Sequence, residues 1–124
     1  MEDFTNSLIQ YYKDGSTIPR GPSGGNSTYV ITGASSTPFI VSAIQKGILK
    51  GNLDSIYKAL RKNHNMGGIM SKVGYEHTTS LGGGLKHCME NGFVPRPIPE
   101  GKFGGHQDGA SLTLEYAYQD WTLA

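Results

Sequence analysis

Two carboxylates near the end of the chain stand among aromatic side chains, a combination that suits carbohydrate binding. Glu115 and Asp120 share one short segment with Tyr116, Tyr118 and Trp121. Aromatic faces pack against the C–H surfaces of sugars, and carboxylate oxygens accept hydrogen bonds from hydroxyl groups. We therefore predict that a glycan contacts Glu115, Tyr116, Asp120 and Trp121.

These two carboxylates are not predicted to act together as a general acid and a general base. On a helix with about 100° per residue, Glu115 and Asp120 point roughly 140° apart and cannot face one site. For Glu115 alone, a structural hydrogen bond to a neighbouring helix remains an alternative to a sugar contact.

Other reactive side chains show no pattern that chemistry requires. No pair of histidines has the i, i+4 spacing that places two metal ligands on one helix face, so we expect solvated or structural roles for all four. The single Cys88 cannot form an internal disulfide and is expected to be a small buried hydrophobe. The run 33–36 does not match the Gly-x-Ser-x-Gly turn of serine hydrolases. The histidines are His64, His77, His87 and His106.

Length and charge limit the classes of protein to which the chain can belong. Its 124 residues allow one domain at most. Eleven Lys and Arg against ten Asp and Glu leave a net charge of +1, so no nucleic-acid partner is expected. No apolar run approaches the roughly 20 residues of a membrane span, so no membrane partner is expected either.

Hydrophobic spacing predicts helices in the first half of the chain. Phe4, Leu8 and Tyr11 or Tyr12 line one face of a helix over 3–13. Thr37 and Pro38 indicate a helix start, with the Thr hydroxyl as cap and Pro at the first helical position. Asn52 is predicted to cap a second helix that ends near Asn65, so that the two form a helical hairpin joined at Gly51.

The second half combines glycine-rich loops with two further predicted helices. A short helix around Leu85, Cys88 and Met89 is expected to stop at Asn91–Gly92. Pro95, Pro97 and Pro99 favour an extended segment over 94–99. The last helix, 111–124, has one stripe with Leu114, Tyr118 and Trp121 and another with Leu112, Tyr116 and Leu123. We therefore expect a helix that packs inside a larger body. No strand of useful length is predicted.

The segment 113–121 carries a resemblance to a known family. Its sequence, Thr-Leu-Glu-Tyr-Ala-Tyr-Gln-Asp-Trp, closely resembles the signature Thr-Leu-Glu-Tyr-Ala-Tyr-Asp-Asp-Trp of glycoside hydrolase family 92, the calcium-dependent exo-acting α-mannosidases. Gln119 stands where the signature has its first Asp. Further blocks resemble the family in the same order along the chain, at 8–15, 18–22, 25–26, 43–48 and 91–95.

This resemblance implies a fold and an activity. The fold would be all-α, part of an (α/α)6 toroid of helical hairpins with long Gly/Pro-rich loops. Residues 1–124 would be a partial catalytic domain, truncated at its C-terminus and also at its N-terminus. The catalytic acid and base and the calcium ligands would follow Ala124, and the remaining helices of the domain would be partners.

The activity implied by the resemblance is removal of a terminal α-linked mannose from a glycan, with inversion. Inversion requires an acid and a base whose carboxyl groups lie about 6.5 to 9.5 Å apart. Members of the family are often secreted or periplasmic. The alternative is a non-catalytic helical module that binds a glycan or a protein.

Overall fold

The structure is a computed structural model, and the part of the chain that it describes is all-α apart from one very short β ladder. The described residues are 1–15, 17–20, 22–23, 26–27, 33–71, 84–96 and 109–124. Their helices are α1 (Glu2–Gly15), α2 (Ser36–Gln45), α3 (Leu53–Asn63), α4 (Leu85–Asn91) and α5 (Gly109–Leu123), with a 3₁₀ turn at Ile69–Ser71. The predicted all-α class is confirmed.

One short β ladder lies between the first two helices, and it agrees with the prediction of no strand of useful length. Strands β1 (Pro22–Ser23) and β2 (Asn26–Ser27) pair antiparallel, with Pro22 opposite Ser27. Segments of two residues are too short to show a hydrophobic period, so the sequence pattern could not reveal them. The predicted extended segment 94–99 falls partly outside the described residues, from Pro97 onward.

Helix α1 forms where the spacing predicted it, but it is rotated relative to the predicted face. Leu8, Ile9 and Tyr12 pack against a core cluster. Phe4 is exposed, so its predicted place on the same face as Leu8 was wrong; of the two tyrosines that the spacing allowed, Tyr12 packs against the core and Tyr11 is exposed. Thr5 lies on the buried side of α1. Its hydroxyl donates to the Glu2 carbonyl at 2.7 Å, so Thr5 is buried without an unpaired polar group.

Helix α2 begins one residue before the predicted cap, and Thr37 does not cap it. The N-cap residue is Ser35, whose side chain makes no capping hydrogen bond. The Thr37 hydroxyl is instead 2.8 Å from Nε2 of His64. Pro38 still fits, because its missing N–H lies in the first turn, where no intrahelical acceptor exists. The prediction of a helix here is confirmed, and the prediction of its cap was wrong.

The boundaries of α3 and α4 follow the local signals in the sequence. Asn52 caps α3 by accepting a hydrogen bond from the Ser55 backbone N–H at 3.1 Å. Helix α4 lies between Gly84 and Gly92, which adopt φ values of +87° and +79°. Glycine reaches these left-handed conformations without steric cost, so Gly92 stops the helix as predicted.

Two hydrophobic clusters form the core, and α5 reaches both. Leu112 and Tyr116 of α5 lie in one cluster, and Leu123 packs against the other. Helix α2 packs more extensively against α5 than against α3, although α2 and α3 share the second cluster. None of the described helices is both long and apolar enough to cross a membrane. The fold therefore centres on α5, the helix that carries the predicted sugar contacts.

Candidate functional site

Helix α5 presents three chemically different sides. Tyr116 and Gln119 face the interior and are fully buried, although both carry polar groups. Asp120 lies at the border, where it contacts a buried histidine. Leu114 and Trp121 face outward. The helix therefore links a buried polar network to an open surface.

Gln119 anchors the buried side of α5 to the segment that precedes α2. Its side-chain oxygen accepts a hydrogen bond from the Ala34 backbone N–H, and its amide nitrogen donates to the Glu115 carboxylate. A buried backbone N–H without a partner is costly, and Gln119 removes that cost for Ala34. The hydrogen bond from the Gln119 amide gives Glu115 a structural partner that lies within α5 rather than on a neighbouring helix.

Gly33 is required where this segment meets α5. It adopts φ +76°, and a Cβ at this position would overlap the Gln119 side chain. The Gly33 carbonyl accepts a hydrogen bond from Nη1 of the buried Arg20 at 2.8 Å. The Ser35 hydroxyl donates to the Arg20 carbonyl at 3.1 Å. Arg20 therefore holds both sides of the turn to which Gln119 is attached.

Tyr116 lies beside this network and is shielded from solvent. Burial raises the pKa of its phenol well above the ordinary value, and the positive charge of Arg20 partly opposes that rise. The phenol therefore stays neutral across the physiological range. Because Tyr116 is fully buried among the described residues, it lies in the core and not on the open surface of α5.

Asp120 is held in place by His64, which lies at the end of α3. Nδ1 of His64 is 2.6 Å from Oδ1 of Asp120, and Nε2 of His64 is 2.8 Å from the Thr37 hydroxyl. An ionised carboxylate only accepts, so Nδ1 carries the proton and donates to Asp120. In the neutral ring Nε2 then accepts from the Thr37 hydroxyl. The chain of contacts joins α2, α3 and α5.

The order Asp120–His64–Thr37 is that of a hydrolase triad, but the exposure is reversed. In such triads the hydroxyl meets the substrate and the carboxylate is buried. Here Thr37 is fully buried, whereas the Asp120 side chain is 58% exposed and the His64 side chain 5%. No substrate can reach the Thr37 hydroxyl, so the group available for contact is the Asp120 carboxylate.

A groove runs along the open side of α5, between that helix and α2. It has a volume of about 490 Å³, within the range of small-molecule sites. Trp121, which is 77% exposed, and Tyr118 supply aromatic surface. Ser42 and Gln45 supply hydrogen-bonding groups from α2. The side chains that line the groove are uncharged, and their aromatic, amide and hydroxyl groups suit a neutral polyhydroxylated ligand.

The four predicted sugar-contact residues are therefore distributed over all sides of the helix. Asp120 and Trp121 are exposed, Glu115 is partly buried against Gln119, and Tyr116 is in the core. Asp120 makes its contact with His64, separate from the pair of Glu115 and Gln119. The sequence prediction for histidines rested on ligand spacing and did not identify the contact of His64 with Asp120. His77 and His106 lie outside the described residues.

One comparison with known proteins decides the family. Residues 1–124 match the model of the glycosyl hydrolase family 92 catalytic domain. The chain belongs to glycoside hydrolase family 92. No curated protein and no solved structure matches it. Family 92 membership establishes a glycoside hydrolase and so a glycan as its substrate class.

The described residues of this family 92 chain do not form the calcium site that the family implies. They include no group of three or more His, Cys, Asp or Glu side chains that could hold a metal ion. Calcium is a hard cation that takes six to eight oxygen ligands, including several carboxylates, and Asp120 and Glu115 point to different partners.

The thiol of Cys88, the single cysteine of the chain, has a pKa that depends on its burial and on Asp120 of α5. Burial raises the pKa of its thiol, and the negative charge of Asp120 adds to the rise. At about pH 8 the folded protein should therefore hold less thiolate than an unstructured peptide, and iodoacetamide should alkylate it more slowly. Mass spectrometry of the alkylated protein, with and without urea, measures both rates.

The Asp120→Asn variant is the control for the thiol prediction. It should speed the alkylation of folded Cys88, but by less than unfolding does, because burial is the larger cause of the raised pKa. Alkylation of the folded protein at the rate of the urea-treated protein would contradict the prediction.

Proposed function

We propose that residues 1–124 supply part of the catalytic domain of an inverting exo-α-mannosidase. Family 92 membership over the whole chain carries the proposal. The likeness of 113–121 to the family signature supports mannose as the sugar removed. In this proposal the chain contributes scaffold and sugar contacts, and other segments of an (α/α)6 toroid supply the catalytic acid, the catalytic base and the calcium ligands.

The groups on α5 are suited to holding a sugar rather than to cleaving it. A carboxylate has about four acceptor sites, and the His64 N–H uses one of those on Asp120. The remaining sites can accept hydrogen bonds from sugar hydroxyls. Trp121, one residue further on, offers an exposed ring face for the apolar side of a sugar. Glu115 would assist from its partly buried position, and Tyr116 would support the helix from the core.

The proposed reaction is a single displacement. An acid protonates the glycosidic oxygen while a base activates a water on the opposite face of the sugar, with the two carboxyl groups about 6.5 to 9.5 Å apart. Calcium, when bound, would hold mannose hydroxyls and ease distortion of the ring. The residues of this chain would orient the sugar for that attack, and orientation alone can lower a barrier by several kcal/mol.

The test is hydrolysis by the complete product of the gene that contains this segment. We expect mannose release from aryl α-mannosides and from terminal α-linked mannose on glycans, with the β-anomer seen first by proton NMR. A chelator should abolish the activity and calcium should restore it. Aryl β-mannosides serve as the control substrate. Release of the α-anomer, or hydrolysis that survives chelation, would contradict the proposal.

Glu115→Gln should lower kcat/KM on aryl α-mannosides by less than about tenfold, whereas loss of a general acid or base typically costs 10²- to 10⁴-fold. The reason is that Glu115 pairs with the Gln119 amide rather than with a second carboxylate. Steady-state kinetics on a series of leaving groups measures this. A loss confined to poor leaving groups would instead identify Glu115 as the acid.

A further inference from the structure

We propose that His64 is the positioning residue for the sugar-binding carboxylate, acting through Asp120 and held in turn by Thr37. This inference rests on the proposed function, because it takes Asp120 to contact the glycan. It adds a residue that lies 56 positions from Asp120 in the chain and that never touches the sugar itself.

Burial makes His64 suitable for this task. Its side chain is only 5% exposed, and its two ring nitrogens are both engaged, one by Asp120 and one by Thr37. Thr37 is itself fully buried in the first turn of α2. A ring whose two nitrogens are bound by groups on different helices cannot rotate freely. The N–H that it presents to Asp120 is therefore fixed in direction.

Asp120 needs such a partner because it is largely exposed. An exposed carboxylate on a helix samples several rotamers, and ordering it when a ligand binds costs free energy. The hydrogen bond from His64 removes that freedom before the sugar arrives. It engages Oδ1 of a carboxylate that is 58% exposed, so the remaining acceptor sites stay accessible to a ligand. Preorganisation of this kind strengthens binding without any new contact to the ligand.

Replacing His64 by Asn or by Gln, which both carry a neutral amide, tests its two hydrogen bonds separately. An Asn amide nitrogen lies near the position of Nδ1 of histidine, and a Gln amide lies near that of Nε2. His64→Asn therefore keeps a donor for Asp120 and loses the bond to Thr37. His64→Gln keeps a partner for Thr37 and loses the donor for Asp120. Both variants lose the same ring packing, so each serves as the stability control for the other.

The experiment measures KM and kcat for an aryl α-mannoside, the Kd for free mannose by calorimetry, and Tm, all on the complete gene product. We expect His64→Gln to raise KM and Kd about tenfold above the values for His64→Asn, because misplacement of an orienting group weakens substrate binding. The values for His64→Asn should lie between those of the original protein and those of His64→Gln, because Asn keeps a donor for Asp120 but loses the Thr37 bond that fixes its direction. The Tm values of the two variants should agree closely.

A spectroscopic signature checks the proton on His64 independently of activity. The ¹⁵N spectrum of the histidine rings should show His64 with its proton on Nδ1, and Asp120→Ala should shift that signal. Equal KM and Kd values for the two variants would overturn the inference. If the gene product binds mannose with the expected difference but does not hydrolyse mannosides, the inference stands and the proposed function fails. If the gene product hydrolyses mannosides but the two His64 variants have equal KM and Kd values, the proposed function stands and the inference fails. If it neither binds mannose nor hydrolyses mannosides, both the inference and the proposed function fail.

Discussion

Replacing Gln119 by Glu is expected to lower the free energy of unfolding by about 3 to 5 kcal/mol at neutral pH, the range for a buried charge left without a partner. The Gln119 side chain is fully buried, and its amide nitrogen donates to Glu115. A carboxylate at this position has no proton to donate, so two acceptors with like charge would meet. Urea-induced unfolding followed by circular dichroism measures the loss.

The loss should depend on pH in a definite direction. Burial and the neighbouring Glu115 carboxylate both raise the pKa of the new carboxyl group in the folded state above its unfolded value. The folded state then binds more protons, so stability falls as pH rises through that range and recovers as pH is lowered. The deficit of the Gln119→Glu variant should therefore shrink as pH falls through the raised folded pKa, and it should stop changing by about pH 4, near the unfolded pKa of a Glu side chain.

A second substitution provides the matched control. In the double variant with Glu115→Gln and Gln119→Glu, the amide and the carboxylate exchange places, and the hydrogen bond between positions 115 and 119 can form again. The double variant should therefore be more stable than Gln119→Glu alone, with a coupling energy within the range of about 0.5 to 3 kcal/mol for contacting residues. Additive effects of the two changes would show that the side chains do not interact.

Gln119 is also a departure from the family signature, and its contacts give that departure a structural role. Gln119 stands where the signature has Asp, and the longer amide side chain reaches the Ala34 backbone N–H, 85 residues away in sequence. It does so because Gly33 leaves room for it. From the sequence, Gln119 was only a mismatch within the signature. The structure shows that it is part of a buried contact with its own steric requirement.

Features that depend on neighbouring residues could be predicted from the sequence. The Asn52 cap and the Gly92 stop satisfy backbone groups within a few positions, so residue type and spacing were sufficient. Side-chain contacts between distant segments left no such pattern. The contact of His64 with Asp120 requires α3 and α5 to be placed in three dimensions, and no spacing rule connects them.

The rotation of a helix about its axis was harder to predict than its existence. In α1 the predicted face included Phe4, which is exposed, because Phe4 and Leu8 have helical spacing but only Leu8 reaches the core. In α5 two apolar stripes were predicted, and the one with Leu112 and Tyr116 is buried while the one with Leu114 is open. Apolar residues on both sides of a helix leave the choice to tertiary packing.

Asn63→Asp is expected to destabilise the protein by about 2 to 4 kcal/mol at neutral pH, because it breaks a buried hydrogen bond and adds a charge. Asn63 is fully buried and joins α3 to the segment that follows α1. Its Oδ1 accepts from the Ile18 N–H at 3.2 Å, and its Nδ2 donates to the Ile18 carbonyl at 2.8 Å. An ionised Asp keeps the first bond and sets a negative charge against the Ile18 carbonyl.

Asn65→Asp is the matched control, since it makes the same chemical change two residues further on. Asn65 is exposed and donates to the Arg61 carbonyl at 2.7 Å. Its replacement should cost less than about 1 kcal/mol, the scale of an exposed charge near a helix C-terminus. Urea unfolding at neutral and acid pH compares the two variants. The Asn63→Asp deficit should shrink in acid, because a protonated carboxyl group can again donate to Ile18. Equal losses for the two variants would show that the buried pairing with Ile18 does not hold α3 in place.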